Sequence, residues 1–391
     1  MLSSSMKEVL TIGIFGSNGK TSTFCLLSSI FSSAGLLVGI LGDENNVEHK
    51  EIMANYDVYK RLKNMGNYDI IIIEITEELL RSDKLNNIEF DMLLHCNISE
   101  GSYEYSPEGI DKLNSIINYS HKIKTLLLNT DDINWKRILN INESYLITYG
   151  LGNKATVTAS SIECSKNIRL CYCLQRALTN YKNEIIMPME VPLKLNVIGQ
   201  YNVYNGLAAV TAALVYGIQI DSIILALNSS MITNCGLQMV CENGFGIAYN
   251  ISNTIVSFET GFEAVQNLPY ENIHLVFSLK PNNSSSTNKK VLEIIGTWSL
   301  ILKLKKIYFL NYKGRDGGLK VLNKIRTNVT GATIEAVSSN NHLDRIETII
   351  NSLKEKDILL FFCSSDLNHI RGNIVEILDK RILGSLSGDI A

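Results

Sequence analysis

Residues 9–23 read VLTIGIFGSNGKTST. Val9 to Phe15 is a short apolar run with β-branched residues, the composition of a buried strand. Gly16 ends it, and Lys20 to Ala34 then predicts a helix. Strand, glycine turn and helix in that order form the setting of a phosphate-binding loop. Gly16 and Gly19 let the backbone approach phosphate oxygens. The N–H groups of Ser17, Asn18 and Ser22, together with the positive end of the helix, favour an anion there. Lys20 would reach the β- and γ-phosphates, and the Thr21 hydroxyl would ligate Mg2+. The strict pattern GxxxxGK[ST] asks for glycine at position 14, where this chain has Ile14. The motif is therefore matched in its second half, and the competing reading is a plain strand-to-helix turn.

The pattern continues outward from this loop. Leu36 to Leu41, Ile70 to Ile75, Asp91 to Cys96 and Lys124 to Asn129 predict further strands, with helices such as Pro107 to Tyr119 between them. Ile70 to Ile75 is apolar at almost every position, as a parallel strand buried on both faces should be. Alternating strands and helices imply an α/β fold with a mostly parallel sheet. From about residue 145 to 198 the texture changes. Ala155 to Ile162, Ile168 to Leu174 and Val191 to Val197 predict a small antiparallel β insert. A long Ala-rich helix follows within Gly199 to Tyr216, then a shorter one at Asp221 to Leu227. Alternation restarts near Cys235. Strands are expected at Gly246 to Ile251, His274 to Ser278, Lys306 to Leu310, Ala332 to Val337 and Asp357 to Phe362. Helices are expected at Phe262 to Gln266, Lys289 to Gly296, Leu319 to Arg326 and Leu343 to Lys354. The polar stretch Lys280 to Lys290 reads as a mobile loop. The chain thus divides into a P-loop domain at 1–235 and a second, smaller Rossmann-like α/β domain at 236–391.

Composition bounds the function. With 36 Lys and Arg against 39 Asp and Glu the net charge is −3, so neither nucleic acid nor a membrane surface has electrostatic support as a partner. No apolar run reaches the roughly 18 residues a membrane span needs. The first residues, MLSSSMKEVL, do not read as a secretory signal, which leads us to expect a cytoplasmic chain. Eight cysteines lie at 25, 96, 164, 171, 173, 235, 241 and 363, with no CxxC pair. They read as reduced thiols. A metal site at the cluster Cys164, Cys171 and Cys173 is the lesser alternative.

The loop GSNGKTST resembles GTNGKT[TS]T, the phosphate loop of the Mur ligase family of ATP-dependent, ADP-forming amide ligases. The resemblance extends along the chain. Glu74 falls where the family has a Mg2+-binding glutamate after an apolar strand. His95 to Ser99 matches its TN[IL] stretch, Asn129 to Asp132 its N-x-DD, and Ile147 to Gly150 its T-[YF]-G. Gly199 to Ala209, GQYNVYNGLAA, is similar to the family's G-x-[FH]-N-x-x-N-x-[LA]-A-A signature. The resemblance implies an adenine-side role for Asn202 and Asn205, whose alternative reading is helix capping. It implies ATP and Mg2+ as cofactors, with Thr21 and Glu74 on the metal. For Glu74 the bland alternative is a cap on the helix that follows it. Lys112, with Asn114 as a competing register, corresponds to the lysine that the family carbamylates. With the loop starting at residue 16, the chain corresponds to the family's central and C-terminal domains. A UDP-linked muramyl peptide is then a weaker expectation as substrate.

Other family positions differ. D-H-[LM]-D becomes Glu100 to Glu104, with Ser102 in place of the histidine. G-R-x-E becomes Gly236 to Met239, and D-Y-A-H-[NT]-P becomes Ala248 to Asn253. G-G-D-R becomes Ser278 to Asn283, and a late G-K-G-H-E-type turn becomes Cys363 to Asp366. Positive charge persists at Lys289-Lys290 and in Lys313 to Asp316, which read either as a clamp for an acidic group or as solvated loops.

The resemblance therefore implies an ATP-dependent ligase. It would activate a small-molecule carboxylate as an acyl phosphate and join it to an amino-acid amine, with Lys20, Glu74 and Lys112 as catalytic candidates. The alternative is a catalytically degenerate nucleotide-binding switch or scaffold, or a ligase completed by a partner subunit.

Overall fold

The computed structural model describes residues 9–41, 56–97 apart from 83, 86 and 87, 106–133 apart from 120–122, 135–138, 144–229 apart from 153, 237–310 apart from 252–254, 267 and 280–284, and 323, 326, 327, 329, 331–337, 342–364, 367 and 369–388. Two compact units form. The first comprises Met1–Asn196 with Gln200–Cys235, and the second Val197–Gly199 with Gly236–Ala391.

The first unit opens with β1 (Leu10–Phe15), α1 (Lys20–Ser33), β2 (Val38–Leu41), α2 (Tyr56–Met65), β3 (Ile70–Glu74), α3 (Glu77–Arg81), β4 (Met92–His95), α4 (Pro107–Tyr119), β5 (Thr125–Asn129) and β6 (Tyr145–Tyr149). The chain continues through β7 (Val157–Cys164), β8 (Ile168–Leu174), the short β9 (Leu178–Thr179) and β10 (Ile185–Ile186), β11 (Met189–Leu195), α5 (Asn202–Tyr216) and α6 (Ile220–Ser229). Nine strands make one sheet in the order β11-β8-β7-β6-β5-β4-β1-β3-β2. Strands β1 to β6 pair in parallel, and β7, β8 and β11 pair antiparallel with one another. The expected antiparallel insert is thus a continuation of the main sheet, joined through the single pair Tyr149–Val157. Sequence texture reveals strand type but not which edge the strands extend.

Strand β3 is buried at all five positions, and β1 at all six. Phe15, Ile71 and Ile73 from these strands, with Phe90, Leu93 and Leu126, belong to one hydrophobic core cluster. The sheet order places β1 between β3 and β4, so the connections from β1 and β3 leave to opposite sides. In open α/β sheets such a reversal creates a crevice at the carboxyl ends of the strands. The loop after β1 begins there.

The second unit contains β12 (Gln238–Asn243), β13 (Phe245–Ile251), α7 (Ile255–Val265), β14 (Asn272–Phe277), α8 (Ser285–Ile301), β15 (Lys306–Leu310), β16 (Thr333–Val337), the helix His342–Asn351, β17 (Asp357–Cys363) and the helix His369–Gly388. Its sheet runs β12-β13-β17-β14-β15-β16, with only the β12–β13 pair antiparallel. β12 and the last helix were not expected from sequence. Half of the stretch read as a mobile loop, Ser285 to Lys290, is the start of α8. Lys289 pairs with Glu293 one turn on at 3.7 Å. Val291, Leu292 and Ile295 then bury the apolar stripe of the same helix. Lys280 to Asn283, Lys313 to Asp316, and Ser365 and Asp366 lie outside the described residues, as does nearly all of the expected helix Leu319 to Arg326.

Ile72 is fully buried in β3 between β1 and β2. Ile72→Ala leaves a cavity there and should cost about 2–5 kcal/mol. A chemical-denaturation midpoint of the first unit that does not move would show that this strand does not carry the core.

Candidate nucleotide site

Parallel pairing sets the site. Ile14 is paired with Glu74 at the end of β3, and Phe15 with His95 at the end of β4. Both neighbouring strands therefore finish where Gly16 starts. Ile14 is itself a fully buried strand residue. That explains the missing glycine at position 14: the turn starts two residues later. Gly16 has φ 129 and Gly19 has φ 84, both in the region that favours glycine. A Cβ on Gly16 would lie 2.9 Å from the Asn97 carbonyl oxygen. A Cβ on Gly19 would collide with Asn205 Oδ1.

The turn is braced by β4. Ser17 N and Asn18 N both donate to the Asn97 carbonyl, at 2.7 and 3.0 Å, and Asn97 N donates back to Asn18 O at 3.3 Å. Two of the N–H groups expected to face phosphate are thus satisfied within the protein. What remains is the start of α1, where Gly19 is the cap residue and no side chain caps the helix. The first N–H groups of a helix have no intrahelical acceptor. Lys20 Nζ folds back to donate to Gly16 O at 2.5 Å.

Thr21 Oγ1 donates to Glu74 Oε1 at 2.8 Å, and Glu74 is 5% exposed. This contact joins the two residues assigned from sequence to one Mg2+. Neighbouring oxygens on an octahedral magnesium ion lie about 2.9 Å apart, from metal–oxygen distances of about 2.0–2.1 Å. One hydroxyl and one carboxylate at this spacing fit the ion, with positions left for phosphate oxygens and water.

Asn202 and Asn205, at the start of α5, are both buried. Asn205 Nδ2 donates to Asn202 Oδ1 at 2.8 Å, and Asn205 Oδ1 accepts from Thr23 Oγ1 at 3.3 Å. The pair therefore lies against the loop and the first turn of α1. Lys112 is half-buried on α4, which packs against α3. Glu100 to Glu104 lie outside the described residues.

Two groupings were missed from sequence. His95 Nε2 is 3.1 Å from Asp132 Oδ2, and both side chains are buried. The His95 ring stacks on Phe15, the last residue before the loop, with centroids 5.2 Å apart. Tyr149 donates to the His95 carbonyl at 2.7 Å. Asp131 Oδ2 accepts from Leu151 N, Gly152 N and Tyr204 Oη at 2.6, 2.9 and 3.1 Å. Three motifs read separately in sequence, N-T-D-D, T-Y-G and the start of α5, are fastened together by this one carboxylate. The signal was the acidic pair itself. Its partners lie tens of residues away and carry no local mark.

Cys96, under the loop, is fully buried. Burial pushes its thiol up to about 11 against the help of the Thr23 hydroxyl.

A family model described as the Mur ligase middle domain matches residues 14–213, just over half of the chain. The chain is 22% identical over 374 residues to the UDP-N-acetylmuramoyl-L-alanyl-D-glutamate–2,6-diaminopimelate ligase of Bacillus velezensis, covering 90% of this chain and 73% of that one. Among solved structures it is similar to MurF from Acinetobacter baumannii, at TM-score 0.69 and 14% identity, covering 96% of this chain and 78% of that one. It is also similar to the MurF ligase of Thermotoga maritima in complex with ADP, at TM-score 0.64 and 14% identity, covering 96% and 81%.

Two outcomes test this geometry. Gly19→Ala should destabilise by at least about 1 kcal/mol, because it meets both the positive φ and Asn205. Adding Asn205→Ala should recover part of the loss, and purely additive costs would deny the contact. Cys96 should resist alkylation until pH approaches its raised value of about 11. Its folded pKa lies above the unfolded one of about 8.5, so the native state holds the proton longer and stability falls with rising pH across that window. Rapid labelling of native protein at pH 8 would contradict the burial.

Proposed function

The chain belongs to the Mur ligase family, and from that premise we propose that it is an ATP-dependent, ADP-forming amide ligase acting through the loop at residues 16–22. The reading is carried by the 2.8 Å contact between Thr21 and Glu74 at the mouth of that loop.

The chemistry runs in two steps. A substrate carboxylate oxygen attacks the γ-phosphorus of ATP, the bond to the bridging oxygen breaks, and ADP leaves. The amine nitrogen then attacks the acyl carbon, phosphate departs with its oxygen, and the nitrogen loses a proton. The residues of this chain act by position and charge. Lys20 would leave the Gly16 carbonyl for the β- and γ-phosphate oxygens, where its ammonium offsets charge in the transition state. The α1 N-terminus would hold phosphate oxygens through backbone N–H groups. Thr21 and Glu74 would hold Mg2+, which neutralises charge on the transferring group. Asn205 would act from beneath, keeping Gly19 and Thr23 in place. Asn202 would fix Asn205 and so support the adenine-side role implied by the family pattern. Lys112, with Asn114 as the competing register, is the candidate for the family's carbamylated lysine, by family pattern alone.

Small molecules are the substrates. The relative from Bacillus velezensis is named for 2,6-diaminopimelate and a UDP-linked muramoyl dipeptide. We assign the same broad classes here, an amino acid as amine and a peptide-type acid as carboxylate. Among the described residues no helix is long and apolar enough to cross a membrane. We place the reaction in the cytoplasm, where ATP is available. A second reading is supported by the second unit, where Leu237, Met239 and Ala248 stand at positions that carry charge in the family pattern. Under it the nucleotide cradle serves as a switch, or a partner subunit supplies the missing groups.

Purified protein given ATP, Mg2+, pooled amino acids and candidate acids should release ADP. Nucleotide binding without ADP release across that pool would favour the switch. Lys20→Ala should abolish nucleotide affinity under both readings, and an unchanged Kd would refute both. Glu74→Gln should lower turnover by about a hundredfold or more while sparing ATP binding. Equal turnover would remove Glu74 from the site.

A further inference from the structure

Strand β8 carries Cys171 and Cys173 two residues apart. Tyr172 between them turns toward α5, where its hydroxyl meets Thr211 at 3.0 Å. Alternation along a strand puts both thiols on the opposite face of the sheet. In the antiparallel register Glu190 of β11 lies directly across from Cys173, and Ser160 of β7 across from Cys171. The Ser160 hydroxyl is 3.5 Å from Cys173 Sγ. Ligand atoms of Cys171, Cys173 and Glu190 all lie within 4.8 Å of one another. Cys173 is buried, Cys171 half-buried and Glu190 exposed, so the cluster opens to solvent on the carboxylate side. Beside it β7 breaks register between Ser160 and Glu163, with Ser161 at φ 50. Such bulges re-aim side chains. Cys164, grouped with these two in sequence, pairs with Ile168 at the far end of β7 and is not part of the cluster.

We propose that Cys171, Cys173 and Glu190 form a binding site for a thiophilic divalent cation of the zinc class. Two thiolates and a carboxylate suit such an ion, and three protein ligands leave a fourth position for water. A tetrahedral ion with metal–sulfur distances of about 2.3 Å holds its sulfurs roughly 3.8 Å apart. The ligand atoms already lie within 4.8 Å of one another, so they need to close by at most about 1 Å to reach that spacing. A disulfide is less well served. Two residues along an extended strand span roughly 6.6 Å, near the upper end of the Cα range of about 4.4–6.8 Å for disulfides. The site rests on two strands of the first unit, β8 and β11, and shares no residue with the phosphate loop. Metal binding on release of two thiol protons would tie β8 to β11 at the sheet edge.

Cobalt(II) is the probe, added without oxygen to reduced, chelator-treated full-length protein. A sulfur-to-cobalt charge-transfer band should grow and saturate at about one ion per chain. Cys171→Ser and Cys173→Ser should each weaken it, and the double variant should abolish it. Glu190→Gln should keep the band but weaken binding by about tenfold or more. Lys20→Ala should leave the titration unchanged, which separates this site from the ligase reading. Zinc should raise the melting midpoint of the wild type and not that of the double variant. The absence of the band in wild type, its persistence in the double variant, or a Cys171–Cys173 disulfide in protein prepared without reductant would each overturn the site.

Discussion

Strand β1 lies between β3 and β4, and the phosphate loop depends on that neighbourhood. Parallel strands in register end together, so Glu74 and His95 arrive beside Ile14 and Phe15 as the chain turns at Gly16. The run Ile70–Ile73 cannot fix this register by itself, since a shift among identical apolar residues changes little. The polar ends do. Asp69 Oδ2 accepts from Leu37 N at 2.9 Å, and the Asp69 carbonyl accepts from Leu10 N at 3.1 Å. At the other end Glu74 meets Thr21. A slip by one residue would bury Asp69 in the sheet or pull Glu74 from the loop, and both outcomes strand a polar group in apolar surroundings.

The loop is also held from outside its own sequence. Asn97 ties down Ser17 and Asn18, and Asn205 fills the space over Gly19. Backbone positions held this way need no ordering when an anion binds, which lowers the entropic cost of association. The bracing also narrows the cradle. With the Ser17 and Asn18 N–H groups facing Asn97, an incoming phosphate would meet the start of α1 and the Lys20 ammonium rather than the turn. For an anion bound here, the helix terminus and its lysine would therefore offer more than the turn that precedes them.

The turn and its helix were legible because their signal is local: an apolar strand, two glycines, a lysine and a hydroxyl within fifteen residues. Glu74 was legible at one remove, as the first charge after four isoleucines. What stayed hidden depends on strand order and register. Nothing near Asn97 marks its carbonyl as the anchor of the loop. The His95–Asp132 pair spans 37 positions, and the Asp131–Tyr204 contact spans 73. The grouping of Cys171 and Cys173 with Glu190 follows from the β8–β11 register, whereas sequence proximity pointed to Cys164 instead. The start of α8 was misread because Ser, Thr and Asn favour loops locally. The apolar stripe that stabilises the helix begins only at Val291.

The second unit separates what a fold requires from what a reaction requires. Its strands β14 and β17 are apolar and buried, with Phe277, Phe361 and Phe362 fully enclosed. Those residues preserve the parallel sheet whatever stands at the strand ends. At the carboxyl ends the side chains pair with one another. Ser278 Oγ lies 3.2 Å from Ser364 Oγ and accepts from Ser364 N at 2.7 Å, while Asn250 Nδ2 donates to Ser257 O at 3.0 Å. Arg371 adds a guanidinium, donating to Gln238 at 2.9 Å. Neutral, mutually satisfied groups have little left to offer a phosphate or carboxylate, since a ligand must displace bonds of equal worth. A charged group such as Arg371 retains an advantage, because a charge-assisted bond to an anion outweighs its bond to an amide oxygen. Any selectivity for an acidic substrate in this unit therefore falls more heavily on cations than on the strand-end positions where the family carries its motifs.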